Sequence, residues 1–202
     1  MTTGKRNEMR KLKERKISHS PRRVTITYLE NAALFYLERY SASVEHFRRI
    51  LMKKVRRSAR FHGTNIEEGA RMIDNIIERY RRIGLLDDDR YAEAKVRYFH
   101  GRGISIRGIQ AKLREKKVAN AVIDGALAKL RESTISPDLV AAVAYIRRRR
   151  FGPYRESDKR PEHFKRDLAA LGRSGFSYEV ARQVLEAESA NELEELLTKE
   201  KV

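Results

Sequence analysis

The chain has 202 residues, 36% of them charged, and its formal net charge of +17 favours a polyanionic partner: nucleic acid, an anionic membrane or an acidic protein surface. It contains no cysteine, which excludes disulfides, thiolate catalysis and thiolate zinc sites and suits a reducing compartment, so we expect a cytoplasmic protein. No stretch reaches the roughly 18 apolar residues of a membrane-spanning helix, and the charged N-terminus does not resemble a secretion signal, so we expect neither membrane insertion nor export.

Residues 1–24 are predicted to form a basic tail. The first 23 residues contain nine lysines and arginines against Glu8 and Glu14, a net charge of +7. So few apolar residues cannot offset the entropy of ordering the segment, and we expect it to stay disordered or half-helical until it meets an anion. A merely solubilising arm is the alternative.

A first three-helix module is predicted over 25–84. Its helix starts are marked by side chains that can accept backbone N–H bonds: Thr27 (a capping box with Glu30), Ser43 and Asn65. The second helix is strongly basic, because apolar residues recur every four positions and arginines and lysines fill the rest of its surface. The segment 58–64 contains a glycine and no periodicity, so we predict a loop there.

A second module is predicted over 85–133, and it opens with three consecutive acids, Asp87, Asp88 and Asp89. One helical turn cannot aim three adjacent carboxylates at one metal ion, whereas aspartate at a helix N-terminus caps free N–H groups and opposes the macrodipole. We therefore predict a helix start and no metal site. Ser105 is predicted to cap the next helix.

A third module is predicted over 134–187. It starts at Ser136-Pro137-Asp138, which combines a capping serine, a proline at the first helical position and an acid in the first turn. From Glu186 onward the chain has six glutamates against two lysines. We predict an acidic C-terminal tail over 188–202, helical or frayed, that shields a basic neighbour.

One helix–turn–helix pattern recurs along the chain. Leu113 is followed five residues later by Val118 and Leu171 by Phe176, and an altered copy joins Tyr80 to Leu85. This spacing is typical of a Schellman ending, in which the residue after a left-handed turn packs over the helix end; Gly175 is predicted to be left-handed. Each unit of about fifty residues is too small to bury a secure core alone. We therefore predict an all-α fold of three tandem three-helix modules stacked into an elongated, curved, solenoid-like arrangement.

The sequence contains no recognisable catalytic signature. It has no phosphate-binding glycine loop, no metalloprotease or hydrolase motif and no dinucleotide-binding fingerprint. The five histidines are scattered without the spacing of metal ligands. We therefore expect a binding protein without cofactor or metal, and not an enzyme.

The cations sit on the first helix of each helix–turn–helix pair, whereas the second helix, which would read DNA bases, has few basic side chains. We expect them to align into a basic row that contacts phosphates or an acidic protein groove without reading bases. Ordinary solvated helix faces are the alternative. Because four consecutive arginines surround a helix, at most two of 147–150 can face one partner. The candidate binding residues are Arg48, Arg49, Lys53, Lys54, Arg107, Lys112, Lys116, Arg147, Arg148, Arg149, Arg150, Lys165 and Arg166.

Three phrases carry a resemblance to a known family: IGLLDDDRYA at 83–92, RRFG at 149–152 and RSGFSY at 173–178. Together they resemble the bacterial RecX regulatory proteins, over about Leu29 to Leu185. The resemblance implies tandem three-helix repeats and binding in the groove of the RecA filament on DNA, with suppression of ATPase and strand exchange, and it implies direct DNA binding. The chain departs from the family pattern at 58–64 and in its basic N-terminal tail.

The resulting hypothesis is a regulator, chiefly an inhibitor, of the RecA recombinase that modulates homologous recombination, DNA repair and the SOS response. Its expected partners are the RecA filament and, in a nonspecific and salt-dependent way, single- and double-stranded DNA, and we expect a monomer. One alternative is a sequence-nonspecific architectural nucleic-acid-binding protein that acts independently of RecA. Another is a nuclease or other DNA enzyme, which would show metal-dependent turnover.

Overall fold

The computed structural model describes residues 21–199, and over this range the chain is all-helical, as the sequence predicts. Nearly all of the predicted basic tail, and residues 200–202, lie outside the described residues. Within this range, two short 3-10 helices, Gly152–Tyr154 and Ser157–Lys159, lie between the seventh and the eighth α-helix. The α-helices are α1 (Ile26–Leu37), α2 (Val44–His62), α3 (Ile66–Arg82), α4 (Asp88–Gly101), α5 (Ile106–Glu115), α6 (Asn120–Ser133), α7 (Pro137–Arg149), α8 (Arg160–Arg173), α9 (Tyr178–Glu186) and α10 (Ala190–Lys199).

Three of these helices fall within each of the ranges 25–84, 85–133 and 134–187, but the internal contacts divide the chain into two units. Unit 1 comprises the described residues up to Glu38 together with Arg48–Ile76. Unit 2 comprises Arg39–Phe47 and the described chain from Ile77 onward. Each unit is described separately below.

Unit 1 packs α1 with most of α2 and α3. Leu29 and Ala33 of α1, Leu51 and Val55 of α2 and Ile73 of α3 are almost completely buried. At Gly69, an added Cβ would lie 2.5 Å from Cγ1 of Val55, so the α2–α3 contact needs a residue without a side chain there. This close approach closes the small core.

Two boundary predictions in unit 1 are wrong. The cap of α1 is Thr25 and not Thr27, because Thr25 is extended and its side chain accepts the Tyr28 N–H at 3.1 Å. The segment 58–64 is mostly helical, since α2 continues to His62. Ser58 is fully buried, accepts the Val24 N–H at 2.9 Å and shares a hydrogen bond with the Thr64 hydroxyl. These partners satisfy a polar side chain inside the helix, which composition alone did not reveal.

Unit 2 contains two hydrophobic clusters. The first lies among α4, α5 and α6 and is centred on Val96, Ile109 and Leu127. The second lies among α7, α8, α9 and α10 and includes Ile146 and Leu171. The predicted acidic tail thus contributes a helix, α10, which is held to the second cluster by the fully buried Leu193.

The predicted Schellman endings are present. The amide N–H groups of Leu85, Val118 and Phe176 donate to carbonyls five residues earlier, at 2.8, 3.1 and 3.2 Å. The intervening left-handed residues are Gly84, Lys117 and Gly175, with φ of 72°, 62° and 90°. Two further endings follow the same rule, at Phe99–Ile104 with Gly103 left-handed and at Ile146–Phe151 with Arg150 left-handed. One turn type therefore ends five helices of unit 2.

A pair of equivalent hydrogen bonds recurs in unit 2. At the start of α5, the Ser105 hydroxyl donates to the Ser174 carbonyl at 2.7 Å, and the Ile106 N–H donates to the Asp138 carboxylate at 2.7 Å. At the start of α2, Ser43 and Val44 make the same two bonds, 2.6 and 2.8 Å long, to the Lys116 carbonyl and the Asp88 carboxylate. We call this arrangement the Ser/Asp clamp. It uses a helix-capping serine and an acid of a later helix start to fix helices together.

The three consecutive acids of the second predicted module have three different settings, and one of them belongs to the clamp. Asp87 is the N-cap of α4 and accepts the Arg90 N–H at 2.9 Å, as predicted. Asp88 accepts the clamp bond from Val44, and Asp89 is exposed. Burial raises the pKa of Asp88, and this effect outweighs the opposing influence of the Val44 N–H. Within residues 21–199, no group of three or more histidine or carboxylate side chains is arranged to hold a metal ion.

Candidate cationic binding surface

The predicted binding residues of α2 lie in two different settings within unit 1. Arg48 is half-buried and forms a bidentate ion pair with Asp74, with nitrogen–oxygen distances of 2.8 and 3.1 Å. The ammonium of Lys54 lies 5.6 Å from the centre of the Tyr28 ring. Arg49 and Lys53 are exposed. Arg48 therefore has a structural role as a cross-link between α2 and α3.

Arg49 and Lys53 belong to a longer exposed row on α2. Arg56 and Arg60 are also exposed and follow at seven and eleven residues from Arg49, which places all four within about 60° around the helix axis. We call these four residues the α2 row. Spacing along one helix is enough to create it, because no other element has to position the side chains.

The arginines at the end of α7 point to different neighbours. Arg147 donates to the Tyr154 hydroxyl at 3.2 Å and to the Glu194 carboxylate of α10 at 3.1 Å. The hydrogen bond that Arg147 donates to Tyr154 and the negative charge of Glu194 raise the pKa of Arg147, so its guanidinium stays charged and paired. The acidic tail therefore pairs with a basic neighbour, which agrees with the sequence prediction.

Arg148 and Arg149 instead flank one aromatic ring. Their guanidinium carbons each lie 5.8 Å from the centre of the Tyr145 ring, and Arg148 also donates to the Arg102 carbonyl. Arg150 is the left-handed residue that ends α7, with φ of 55°. The four consecutive arginines therefore have different roles. Arg147 pairs with α10, Arg148 and Arg149 contact the Tyr145 ring, and Arg150 forms the turn.

A cleft of about 410 Å³ collects cations from three helices of unit 2. Lys112 of α5, Arg148 of α7 and Arg173 of α8 line it, and among the described lining residues the single acid is Glu115. Ile104 and Tyr145 contribute apolar surface. We call this site the cationic cleft. Three cationic residues line one opening, so it can bind an anionic group such as a carboxylate or a phosphate.

Gly103, in the turn between α4 and α5, allows the cleft to form. Gly103 is left-handed, and an added Cβ would lie 2.6 Å from the Tyr145 backbone nitrogen and 2.8 Å from the Ala141 carbonyl oxygen. The α4–α5 turn therefore touches the backbone of α7 directly. This contact brings Arg102 next to Arg148, although 46 residues separate them in the sequence.

An exposed aromatic residue with flanking cations continues the surface along α4. Tyr98 is 54% exposed, and its ring centre lies 6.0 Å from the Lys95 ammonium and 5.6 Å from the Arg102 guanidinium. The adjacent Phe99 packs edge-on against Tyr98 and lies 5.7 Å from the Lys112 ammonium. Aromatic faces among cations are typical of surfaces that bind nucleic acid.

The remaining predicted residues lie outside the described lining of the cationic cleft. Arg107 precedes Lys112 by five residues, which puts the two side chains about 140° apart around α5. Lys116 follows α5, and its carbonyl accepts the clamp bond from Ser43. Lys165 and Arg166 are exposed on α8, and Arg166 lies two turns before Arg173 on the same face.

The sequence analysis included Lys112 and Arg148 among its candidates but missed Lys95, Tyr98, Arg102 and Arg173. The i, i+3 and i, i+4 spacing of Lys95, Tyr98 and Arg102 was visible in the sequence and could have identified the α4 part. Arg173 lies within a phrase used for the family resemblance, but no spacing rule linked it to Lys112. Its place in the cleft depends on the packing of α8 beside α5.

Comparisons with a family model and with curated proteins all indicate the same protein family. A family model described as "RecX, second three-helix domain" matches residues 87–127, which cover α4, α5 and part of α6. The chain is similar to the "Regulatory protein RecX" of Myxococcus xanthus, with 40% identity over 84% of this chain and 90% of that protein. It is also similar to that of Agrobacterium fabrum, with 32% identity over 86% of this chain and 89% of that protein. No solved structure gave a significant match.

Within residues 21–199, no helix is both long enough and apolar enough to cross a membrane.

Proposed function

Because the chain belongs to the RecX family of regulatory proteins, we propose that it regulates the RecA recombinase, chiefly as an inhibitor. In this proposal it binds in the groove of the RecA filament on DNA, in the cytoplasm, and suppresses ATP hydrolysis and strand exchange. It acts by binding and not by catalysis. The observation that supports the proposal is the 40% identity to a regulatory protein RecX along 90% of that protein's length.

The cationic cleft is the proposed point of contact. It lies partly on the α4–α5 turn and on α5, which the family model covers, and it is lined by Lys112, Arg148 and Arg173. An acidic side chain of RecA, or a phosphate of the DNA beside it, would place its negative charge among these three cations. Several converging cations bind an anion better than isolated surface charges, whose pairs contribute about 0–1 kcal/mol each.

The test is the inhibition of ATP hydrolysis by RecA on single-stranded DNA, titrated with the full-length protein. We expect Lys112→Glu to raise the concentration needed for half-maximal inhibition by about tenfold, which corresponds to about 1.4 kcal/mol. Arg90→Glu is the matched control: it changes the net charge equally, on an exposed residue in the first turn of α4. Equal effects of the two variants would mean that only total charge matters and would refute the cleft as the contact.

A second candidate function is nucleic-acid binding that does not require RecA. The observation that favours it is Tyr98, exposed between Lys95 and Arg102. This function predicts tight binding of DNA by the protein alone, and it predicts that Tyr98→Ala weakens both this binding and the inhibition of RecA in the same proportion. If Tyr98→Ala weakens DNA binding and leaves inhibition unchanged, direct contact with RecA is favoured.

A further inference from the structure

A second cleft lies on unit 1, beside α1. It has a volume of about 560 Å³ and is formed by the chain before α1, one face of α1 and one side chain of α2. The sequence analysis assigned no role to this combination of residues. Its lining includes Arg22, Arg23, Tyr28, Asn31, Phe35 and Lys54.

The charge of this cleft is positive. Arg22, Arg23 and Lys54 line it, and no carboxylate occurs among its described lining residues. Lys54 is held over the Tyr28 ring at 5.6 Å, so one of the cations has a fixed neighbour. Cations gathered in a concave surface concentrate field lines there, and the cleft therefore favours an anion.

The cleft also exposes an aromatic ring. Phe35 is 56% exposed, although it belongs to a well-formed helix. Tyr28 and Phe35 are seven residues apart and share one face of α1, while Leu29 and Ala33 of the same helix are buried in the core. The register of α1 therefore turns Phe35 toward the cleft, where its flat apolar face lies in the same concavity as the cations.

We propose that this cleft binds a nucleotide unit, with the base against Phe35 and the phosphate between Arg22, Arg23 and Lys54. A nucleobase needs an aromatic face to stack on, and a phosphate needs cations. Asn31 adds an amide that can both donate to and accept from the edge of a base. An acidic peptide would use the cations but has no group that requires Phe35. The nucleotide unit can come from a free nucleoside phosphate or from a single strand of nucleic acid.

Calorimetric titration of the full-length protein, without RecA, at about 0.1 M salt tests the proposal. Four probes separate the possibilities: ADP, a thymidine tetranucleotide, inorganic pyrophosphate and polyglutamate. We expect ADP or the tetranucleotide to bind at least about fivefold more tightly than pyrophosphate, because stacking of one base on an aromatic side chain contributes about that factor or more. The tighter of the two identifies the source of the nucleotide.

Two variants assign the binding to this cleft. Phe35→Leu removes the ring but keeps an apolar side chain. We expect it to weaken the binding of the base-containing probe at least about fivefold and to leave the binding of pyrophosphate unchanged. Phe61→Leu is the matched control, because Phe61 is 60% exposed on α2 and does not line the cleft. Arg23→Gln should weaken the binding of pyrophosphate and of the base-containing probe by the same factor.

Binding of pyrophosphate as tight as that of ADP and the tetranucleotide would overturn the proposal, and so would tighter binding of polyglutamate or the absence of binding by any probe. Equal effects of Phe35→Leu and Phe61→Leu would also overturn it. Because RecA is absent from every titration, these outcomes are independent of the inhibition assay that tests the proposed function.

Discussion

The α2 row and the cationic cleft present cations in two physically different ways. The α2 row depends on spacing alone: four basic residues on one helix face are aligned by the helical repeat. The cationic cleft depends on tertiary packing, since its cations come from α5, α7 and α8. A helix face creates a band of exposed charge, whereas a packed cleft makes several charges converge on one bound group.

This difference has energetic consequences. Charges in an exposed band are separated by solvent and screened by salt, so each contributes little to binding a particular partner. Charges that converge act on the same anion and keep their geometry only while the backbone around them is intact. We therefore expect the cleft to be more sensitive to mutation and more selective than the α2 row.

The largest expected effect concerns the backbone contact that forms the cleft. Gly103→Ala introduces a Cβ 2.6 Å from a backbone nitrogen of α7 and strains a residue with φ of 69°, so we expect a loss of about 3 kcal/mol in the free energy of unfolding. Urea denaturation followed by circular dichroism measures it. Gly84→Ala is the control, because φ is also positive, at 72°, but no atom lies within 4 Å of the added Cβ. The control should lose about 1 kcal/mol. Similar losses in both variants would show that α7 yields to the α4–α5 turn and that the cleft is not rigid.

The second prediction compares the two groups of cations directly. We expect Lys112→Gln combined with Arg173→Gln to weaken the inhibition of RecA ATP hydrolysis about tenfold, because two of three converging charges are lost. Arg49→Gln combined with Lys53→Gln removes the same charge from the α2 row and should weaken inhibition about threefold or less. The titration is repeated at two salt concentrations. A larger effect of the α2 variant would reverse the comparison and make the row the main contact.

The same contrast decides what the sequence could predict. The helix starts at Ser43, Asn65 and Ser105 were predicted, because a capping side chain and the backbone groups that it bonds are three residues apart or fewer. Three Schellman endings were predicted for the same reason. The endings at Phe99–Ile104 and Ile146–Phe151 have the same five-residue spacing, but the sequence analysis did not identify them as copies of the pattern.

Features that depend on distant parts of the chain were harder to predict from the sequence. The clamp serines have local capping signatures, but the carbonyls to which they donate lie 69 and 73 residues away. Ser58 had no such signature, and the N–H that it accepts belongs to Val24, 34 residues earlier. In the cleft, Lys112 and Arg148 were found because they lie in basic runs. Arg173 was missed because its role depends on how α8 packs, which no local rule specifies.

The third prediction concerns the turn after α5. Lys117 has φ of 62°, whereas the equivalent positions of the repeat are Gly84 and Gly175. A side chain in the left-handed region costs about 1 kcal/mol, so Lys117→Gly should raise the free energy of unfolding by about 0.5–1 kcal/mol, measured by urea denaturation. Lys116→Gly is the control: that residue has φ of −79°, and the substitution should destabilise. A loss of stability in Lys117→Gly would mean that the lysine side chain makes a compensating contact.

The smallest expected effect is the pH dependence of the Ser/Asp clamp at Asp88. Burial raises the pKa of this carboxyl above its ordinary value of 3.8, so the folded protein binds a proton there more readily than the unfolded chain. The contribution of Asp88 to stability must then fall as the pH rises from about 3.8 through the raised pKa. Asp88→Asn keeps an oxygen that can accept the Val44 N–H but cannot ionise. The stability of this variant relative to the unmodified protein should therefore increase between pH 3 and pH 7 in urea titrations, whereas the opposite trend would mean that the clamp requires the ionised carboxylate.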